Sequence, residues 1–436
     1  MYNYIPYIKS GQIEIFIILI KLVSKTILFK ILEYNNYMHF LQTSDWHLGR
    51  LLFNTSILED QKQILNQIIT QIEIASKNGN EYDALLIPGD IYDRANPPKE
   101  AMTVLSDFLT ELSNKFPKLQ VFILSGNHDD AKLLYFAKDF FKKANIHFCT
   151  DLSDIENPVI LTSAKDDSEK AAIYQIPYLE AYAFADLRRQ QELYEKATES
   201  IEKTHKNYDE CLSVICAHLF AIKSIVNDAE RSSVGPAEEV DTKLFEKFDY
   251  TALGHIHSYQ PCGTKNNIFY SGSPLKFNPD NKDKENKFLL DITVSKNQKP
   301  EIKKIPLIAP HKITTITGSY ADYYGKNAKE ELIEPYKNDY IVFICTDDIL
   351  PDSPMQNLKT VFPFIRSFRM EEKERNNSTN FAEERLARQS IIEEFESKPE
   401  NLFEKFLEDI NANTKDEELE KKEKELFLKY IKIEQE

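Results

Sequence analysis

Five short strings hold the residues that could do chemistry: Ser44-Asp45-Trp46-His47-Leu48-Gly49, Pro88-Gly89-Asp90, Gly126-Asn127-His128-Asp129, Ala217-His218 and Gly254-His255-Ile256-His257. The chain has only nine histidines, and five of them sit here, beside Asp45, Asp90, Asn127 and Asp129. Carboxylate oxygens and imidazole nitrogens without thiolates suit first-row cations such as manganese or iron better than a cysteine-bound structural zinc. Taken singly, each string is an ordinary polar loop. Together, Asp45, His47, Asp90, Asn127, His218, His255 and His257 are too many ligands for one ion and enough for two, with Asp90 the natural shared carboxylate. Arg50, Arg94, Lys99 and Lys276 lie in or beside these loops, where they either meet phosphates or stay solvated. Asp129 either orients His128 or caps the helix starting near Asp130, and the cap is the preferred reading. Trp46 reads as packing beneath the cluster rather than as a stacking platform.

The elements that must position these residues alternate. Strands are predicted at 39–43, 83–89, 121–126, 212–217 and 250–254, each a short apolar run ending at one of the strings. Between the first three lie helical periods, Leu65, Ile68, Ile69 and Ile72, then Val104, Phe108 and Leu112. This pattern argues for an α/β fold in which helices flank the sheet, with chemistry at the carboxyl ends of the strands. From Phe288 shorter strands (FLLDITV, EIKKIPL, DYIVFICT) predict a smaller α+β domain over 288–370. Residues 371–436 are charged and helical, with 12 basic and 20 acidic side chains. They carry apolar stripes at Leu402, Phe403, Phe406, Leu407 and Ile410 and at Leu426, Phe427, Tyr430 and Ile431. These stripes fit either a hairpin packed on its own domain or a module that docks a partner helix.

Composition bounds the function. With 42% apolar and 28% charged residues the chain reads as an ordinary globular enzyme. A net charge of -16 excludes strong nucleic-acid binding by the surface as a whole, so such binding must be local. The five cysteines are scattered and form no CxxC pair, which predicts reduced thiols and a cytoplasmic protein. Ile13 to Leu32 is apolar but interrupted by Glu14, Lys21, Lys25 and Lys30, which argues against a spanning helix. Met38 is the expected working start, with residues 1–37 a leader or dispensable extension; the rival reading is an amphipathic surface anchor.

The order DxH, GD, GNH[DE], H and GHxH resembles the calcineurin-like metallophosphoesterase superfamily, and all five motifs are intact. A finer resemblance, to SbcD-type nuclease subunits of the wider Mre nuclease family, is carried by TSDWHLGR (43–50), PGDIYDRANPP (88–98), LSGNHDD (124–130), DYTALGHIHSYQ (249–260) and YSGSPLKF (270–277). It is strong from Met38 to about Pro310 and looser at VFPFIRSF (361–368). At LFEKFLEDI (402–410) it matches only in kind.

The resemblance implies a two-sheet α/β sandwich flanked by helices (38–287), a cap shaping a DNA groove (288–370) and a helical tail (371–436) gripping an SbcC-type SMC-like ATPase. It implies two divalent ions, most simply Mn2+, one held by Asp45, His47 and His257 and the other by Asn127, His218 and His255, with Asp90 between them. His128, polarised by Asp45 or a neighbouring carboxylate, would serve the leaving oxygen rather than a metal. The implied activity is 3' to 5' double-strand exonuclease and single-strand or hairpin endonuclease action in DNA repair and recombination. The implied assembly is a homodimer within a two-plus-two complex, nucleoid-associated and without a membrane. Asp93 stands where some archaeal relatives carry histidine, which leaves open whether it guides or excludes DNA. Two other readings stand beside this one. GDIYDR echoes a phosphatase loop, which suits a phosphatase or phosphodiesterase with a non-DNA substrate; a non-catalytic scaffold is disfavoured because none of the seven candidate ligands is missing.

Overall fold

The structure is a computed structural model that describes residues 37–371, apart from 137, 151–153, 166–167, 182, 185–186, 222–238, 280–285 and 297. The apolar segment 13–32 and both tail stripes lie outside the described residues.

The chain starts β1 (Met38–Gln42), α1 (Leu58–Lys77), β2 (Ala84–Pro88), α2 (Lys99–Lys115), β3 (Gln120–Leu124), α3 (Ala131–Tyr135) and β4 (Ile146–Cys149). These four strands run parallel. The next group is β5 (Val159–Thr162), β6 (Lys170–Ile176), α4 (Gln190–His205), β7 (Leu212–His218), β8 (Tyr250–Gly254), β9 (Gln260–Cys262) and β10 (Ile268–Tyr270). It builds a second sheet in the order β9-β10-β8-β7-β6-β5. The chain then returns to the first sheet with β11 (Lys287–Val294) and β12 (Glu301–Leu307), giving the order β12-β11-β1-β2-β3-β4.

The period-2 alternation explains why two sheets face each other. Phe40, Ala84, Leu86 and Phe122 point into one core with Val214, Cys216, Tyr250 and Ala252 of the second sheet. Leu41, Leu85, Ile87 and Ile123 point the other way, onto the apolar stripe of α1 and α2 that includes Leu65, Ile68, Ile72 and Phe108. Ile215 and Leu253 likewise meet Leu193, Ala197 and Ile201 of α4. Each such burial removes apolar area from water, roughly 1.5–3 kcal/mol for a large side chain. Two buried glutamines tie the sheets together. Gln42 donates to the carbonyls of Leu253 and Phe269, and Gln175 to that of Ile123.

A separate parallel sheet, β13 (Ile313–Gly318), β14 (Tyr340–Cys345) and, after α5 (Pro354–Val361), β15 (Ile365–Met370), completes the described chain. The boundary expected at 288 therefore falls inside the first sheet. β11 pairs antiparallel with the whole length of β1, from Met38↔Val294 to Gln42↔Leu290. Leu289 faces the helices while Leu290, Ile292 and Val294 face the inter-sheet core, so its near-continuous apolar run marks a strand covered on both faces. All five cysteines are free and buried. Among the described residues no helix is long and apolar enough to cross a membrane.

Candidate metal centre

All five strings converge at the carboxyl ends of strands from both sheets. Asp45 and His47 follow β1, Asp90 follows β2, Asn127 and His128 follow β3, His218 ends β7, and His255 and His257 follow β8. Turning side chains inward so abruptly strains the backbone. Asp45, His47, Asp90 and His255 have φ of 55°, 47°, 52° and 110°, a region that non-glycine residues enter at a cost and that clusters at functional sites. The loops also press together. A Cβ on Gly254 would lie 1.7 Å from the Pro88 carbonyl oxygen, and one on Gly126 would lie 2.1 Å from Asp90 Oδ1.

Potential ligand atoms of Asp45, His47 and His257 lie within 4.8 Å of one another, as do those of Asp90, His218 and His255 and those of His47, Asp90 and His128. Asp90 is shared between the last two groups, with Oδ2 3.5 Å from His47 Nε2 and 3.4 Å from His218 Nε2. His47 and His257 turn their Nε2 atoms towards each other at 3.0 Å. Asn127 Oδ1 lies 3.1 Å from His218 Nε2 and 3.0 Å from His255 Nδ1. His218 Nδ1 faces the Pro88 carbonyl at 2.9 Å, which fixes the ring and leaves Nε2 for the centre.

Burial is the main force on protonation. It lowers His255 to about 3 and holds His47 and His257 well below the usual histidine range, so these rings are neutral and keep a lone pair. Burial raises Asp45 to about 8. Asp90 is pushed up by the same burial, yet the charge and hydrogen bond of His218 hold it well below the usual carboxylate range. His218 is the counterpart: burial opposes its charge, but Asp90 and Asp45 raise it to about 9. The buried nitrogens His47 Nδ1 and His255 Nε2 have no hydrogen-bond partner among the described residues. Unsatisfied, neutral imidazoles around an ionised carboxylate fit a divalent cation, whose charge would displace the His218 proton.

Several surrounding roles differ from expectation. The cap of α3 is Asp130, which accepts from the backbone N–H groups of Lys132 and Leu133. Asp129 neither caps that helix nor bonds His128. Its carboxylate accepts from the N–H groups of Ile91, Tyr92 and Gly126, clamping the Asp90 loop to the Asn127 loop. His128 is set by backbone and by Asp90 rather than polarised by a carboxylate on its ring. Its N–H donates to Asp90 Oδ1 at 3.0 Å, and its Nδ1 lies 2.9 Å from the Asp93 carbonyl. Asp93 pairs with Arg50 at 2.8 Å, and Arg50 lies over Phe277, whose ring meets His47 and His257 edge-on. Arg94 and Lys99 are exposed, outside the cluster, and Lys276 is half-buried. Trp46 is buried, donating to Thr43 Oγ1 and meeting Phe108 edge-on, as packing requires.

Sequence reasoning missed Gln61 and Lys287. Gln61 sits on the buried stripe of α1 and bonds the carbonyls of Trp46 and His47 and the N–H of Gly49. The available signal was a polar residue at apolar spacing, four before Leu65 and seven before Ile68. Buried Lys287 donates to the His257 carbonyl and to Ser273 Oγ.

A family model described as "Calcineurin-like phosphoesterase" matches residues 38–259. The chain belongs to that family. Within it, a protein from Staphylococcus saprophyticus, named as the D subunit of the nuclease SbcCD, is 30% identical over 339 residues, 75% of this chain and 83% of the relative. A protein of the same name from Staphylococcus epidermidis is 29% identical over 370 residues, 82% of this chain and 92% of the relative. A solved dimetal phosphatase from Danio rerio shares 10% identity at a TM-score of 0.40, covering 63% of this chain and 99% of that one.

Proposed function

We propose that this chain is the nuclease subunit of an SbcC-SbcD-type complex, hydrolysing DNA phosphodiesters at a two-cation centre. The observation that carries the reading is the convergence of seven candidate ligands from two sheets around the ionised Asp90. Asp45, His47 and His257 would hold one cation and Asn127, His218 and His255 the other, with Asp90 serving both; manganese suits this nitrogen and oxygen set. When bound, the cations supply Lewis-acid charge and a water whose pKa is lowered towards neutrality. The chain's own residues do the rest. Asp90 Oδ1 and the Asp93 carbonyl hold His128 by its backbone N–H and its Nδ1–H, leaving Nε2 to face the leaving 3' oxygen. As the imidazolium, protonated from solvent before the step, the ring would give its Nε2 proton to that oxygen and end neutral. Asp129 keeps the two loops in register while this happens.

The names of the Staphylococcus relatives support DNA as substrate and an SbcC-type ATPase as partner, gripped by residues 371–436. The polarity, 3' to 5' on duplex ends with opening of hairpins, and a role in repair and recombination, follow from the same likeness. The exposed aromatics Tyr135, Phe136 and Phe140, just after the Asn127 loop, support self-association into a two-plus-two assembly.

The test is manganese-dependent hydrolysis of bis-nitrophenyl phosphate, then of linear and hairpin-ended duplex with the ATPase and ATP. Turnover of both is expected, and Asp90→Asn should abolish both together with manganese binding. Hydrolysis of the small ester with no action on DNA would move the reading to a phosphatase. No hydrolysis of either would leave a scaffold.

A further inference from the structure

The first turn of α1 touches two parts of the protein at once. Buried Gln61 donates through Nε2 to the carbonyls of Trp46 (2.9 Å) and His47 (2.7 Å) and accepts from Gly49 N–H (3.0 Å). It thus closes three backbone groups of the loop that carries His47. Its neighbour Asp60 is equally buried and faces the other way, holding His311 Nδ1 between both carboxylate oxygens at 2.9 and 3.0 Å.

His311 belongs to the strap 308–312 that joins β12 to the 313–370 unit. Its ring stacks on Tyr340 of β14 at 4.7 Å and tilts against Phe364 at 4.4 Å. Arg366 of β15 lies over Tyr340 at 4.2 Å. Two turns along α1, Gln67 exchanges a pair of hydrogen bonds with the Ile308 backbone, at 2.8 and 2.9 Å. Asp60 and Gln67 are seven residues apart and so share one face of the helix. The strap is therefore fastened along two helical turns, while the next residue to Asp60 fastens the His47 loop. Burial and the Asp60 carboxylate push the Tyr340 hydroxyl up to about 12, which keeps the phenol neutral against that carboxylate.

A helical turn has little slack. A shift of the 313–370 unit either breaks the Asp60–His311 pair or drags the Asp60 backbone, and the Gln61 backbone moves with it. Breaking is costly because Asp60 would be left as a buried charge without its partner. We propose that Asp60 and Gln61 are positioning residues that make the first turn of α1 a link through which the placement of the 313–370 unit sets the placement of the His47 loop. The proposal rests on the reading of the seven-residue cluster as the hydrolytic centre. It adds the route by which anything that moves that unit reaches it.

Amide hydrogen exchange by mass spectrometry on the full chain separates this link from a local brace. In His311→Gln, and in the nearly isosteric Asp60→Asn, peptides covering 44–53 should exchange faster by about twofold to thirtyfold, the range of mutational coupling energies. Peptides of β7 (212–218) should keep their rate. The double variant should be no faster than the faster single one, because both break the same contact. Acceleration confined to 58–66 and 308–318 would overturn the proposal, as would equal acceleration of every peptide in both variants. Adding Mn2+ to the unaltered protein should slow exchange in 44–53. If it does not, the reading of the metal centre fails while the result on the link stands.

Discussion

The two ends of the sheets place histidine and aspartate side by side, to opposite effect. At the amino end, His39 uses both ring nitrogens, Nδ1 towards the Glu81 carbonyl and Nε2 towards Asp291 Oδ1, each at 3.0 Å. Asp291 also accepts from the Tyr82 hydroxyl, and Asp83 accepts from the N–H groups of His39 and Ala164. Every group in that network is satisfied, and none of these residues has a positive φ. At the carboxyl end two buried imidazole nitrogens have no hydrogen-bond partner among the described residues, two rings meet nitrogen to nitrogen, and four of the backbones carry positive φ. Burial alone does not mark a functional histidine. Unspent bonding capacity held by a strained backbone does.

Exchanging the roles of the two ends would break this contrast. The largest effect is expected at His128, where His128→Asn should cost about a hundredfold to ten-thousandfold in kcat and leave calorimetric manganese binding unchanged. Wild-type turnover would remove the proton-donor role. Next is Asp93→Asn, which weakens the carboxylate 3.6 Å from His47 Nδ1 and beside Arg50. It should lower manganese affinity about tenfold, the low end of the range for groups that orient ligands. Unchanged affinity would confine Asp93 to holding Arg50. The smallest functional effect is expected at the other end. His39→Leu should cost about 3 kcal/mol of unfolding free energy, by leaving buried Asp291 without its ring partner, yet bind manganese as before. Lost manganese binding in a variant that remains folded at the assay temperature would mean that the two ends are not independent.

The strand ends were legible because each strand has one short apolar run that stops at a polar string, and β8 and β12 match their expected spans to the residue. The convergence of the seven candidate ligands follows from that topology. What escaped was local choice between neighbours and long-range pairing. Asp129 and Asp130 are chemically equal in sequence, and only the direction of the chain entering α3 decides which one caps. β11 reads the same whether it opens a new domain or closes an old sheet, since its apolar run needs cover on both faces in either case. Gln61 hides in a helix stripe because its partners are backbone groups, which leave no trace in side-chain pattern.

The pairing of β1 with β11 has a consequence for the chain as it is made. Met38 waits for Val294 before its edge of the first sheet is covered, and His218, His255 and His257 arrive from the ribosome long after Asp45 and Asp90. Such distant pairing is slow to form and comes late. A half-synthesised chain thus holds only part of the candidate ligand set, and the cluster cannot assemble until translation has passed the point where the sandwich can close.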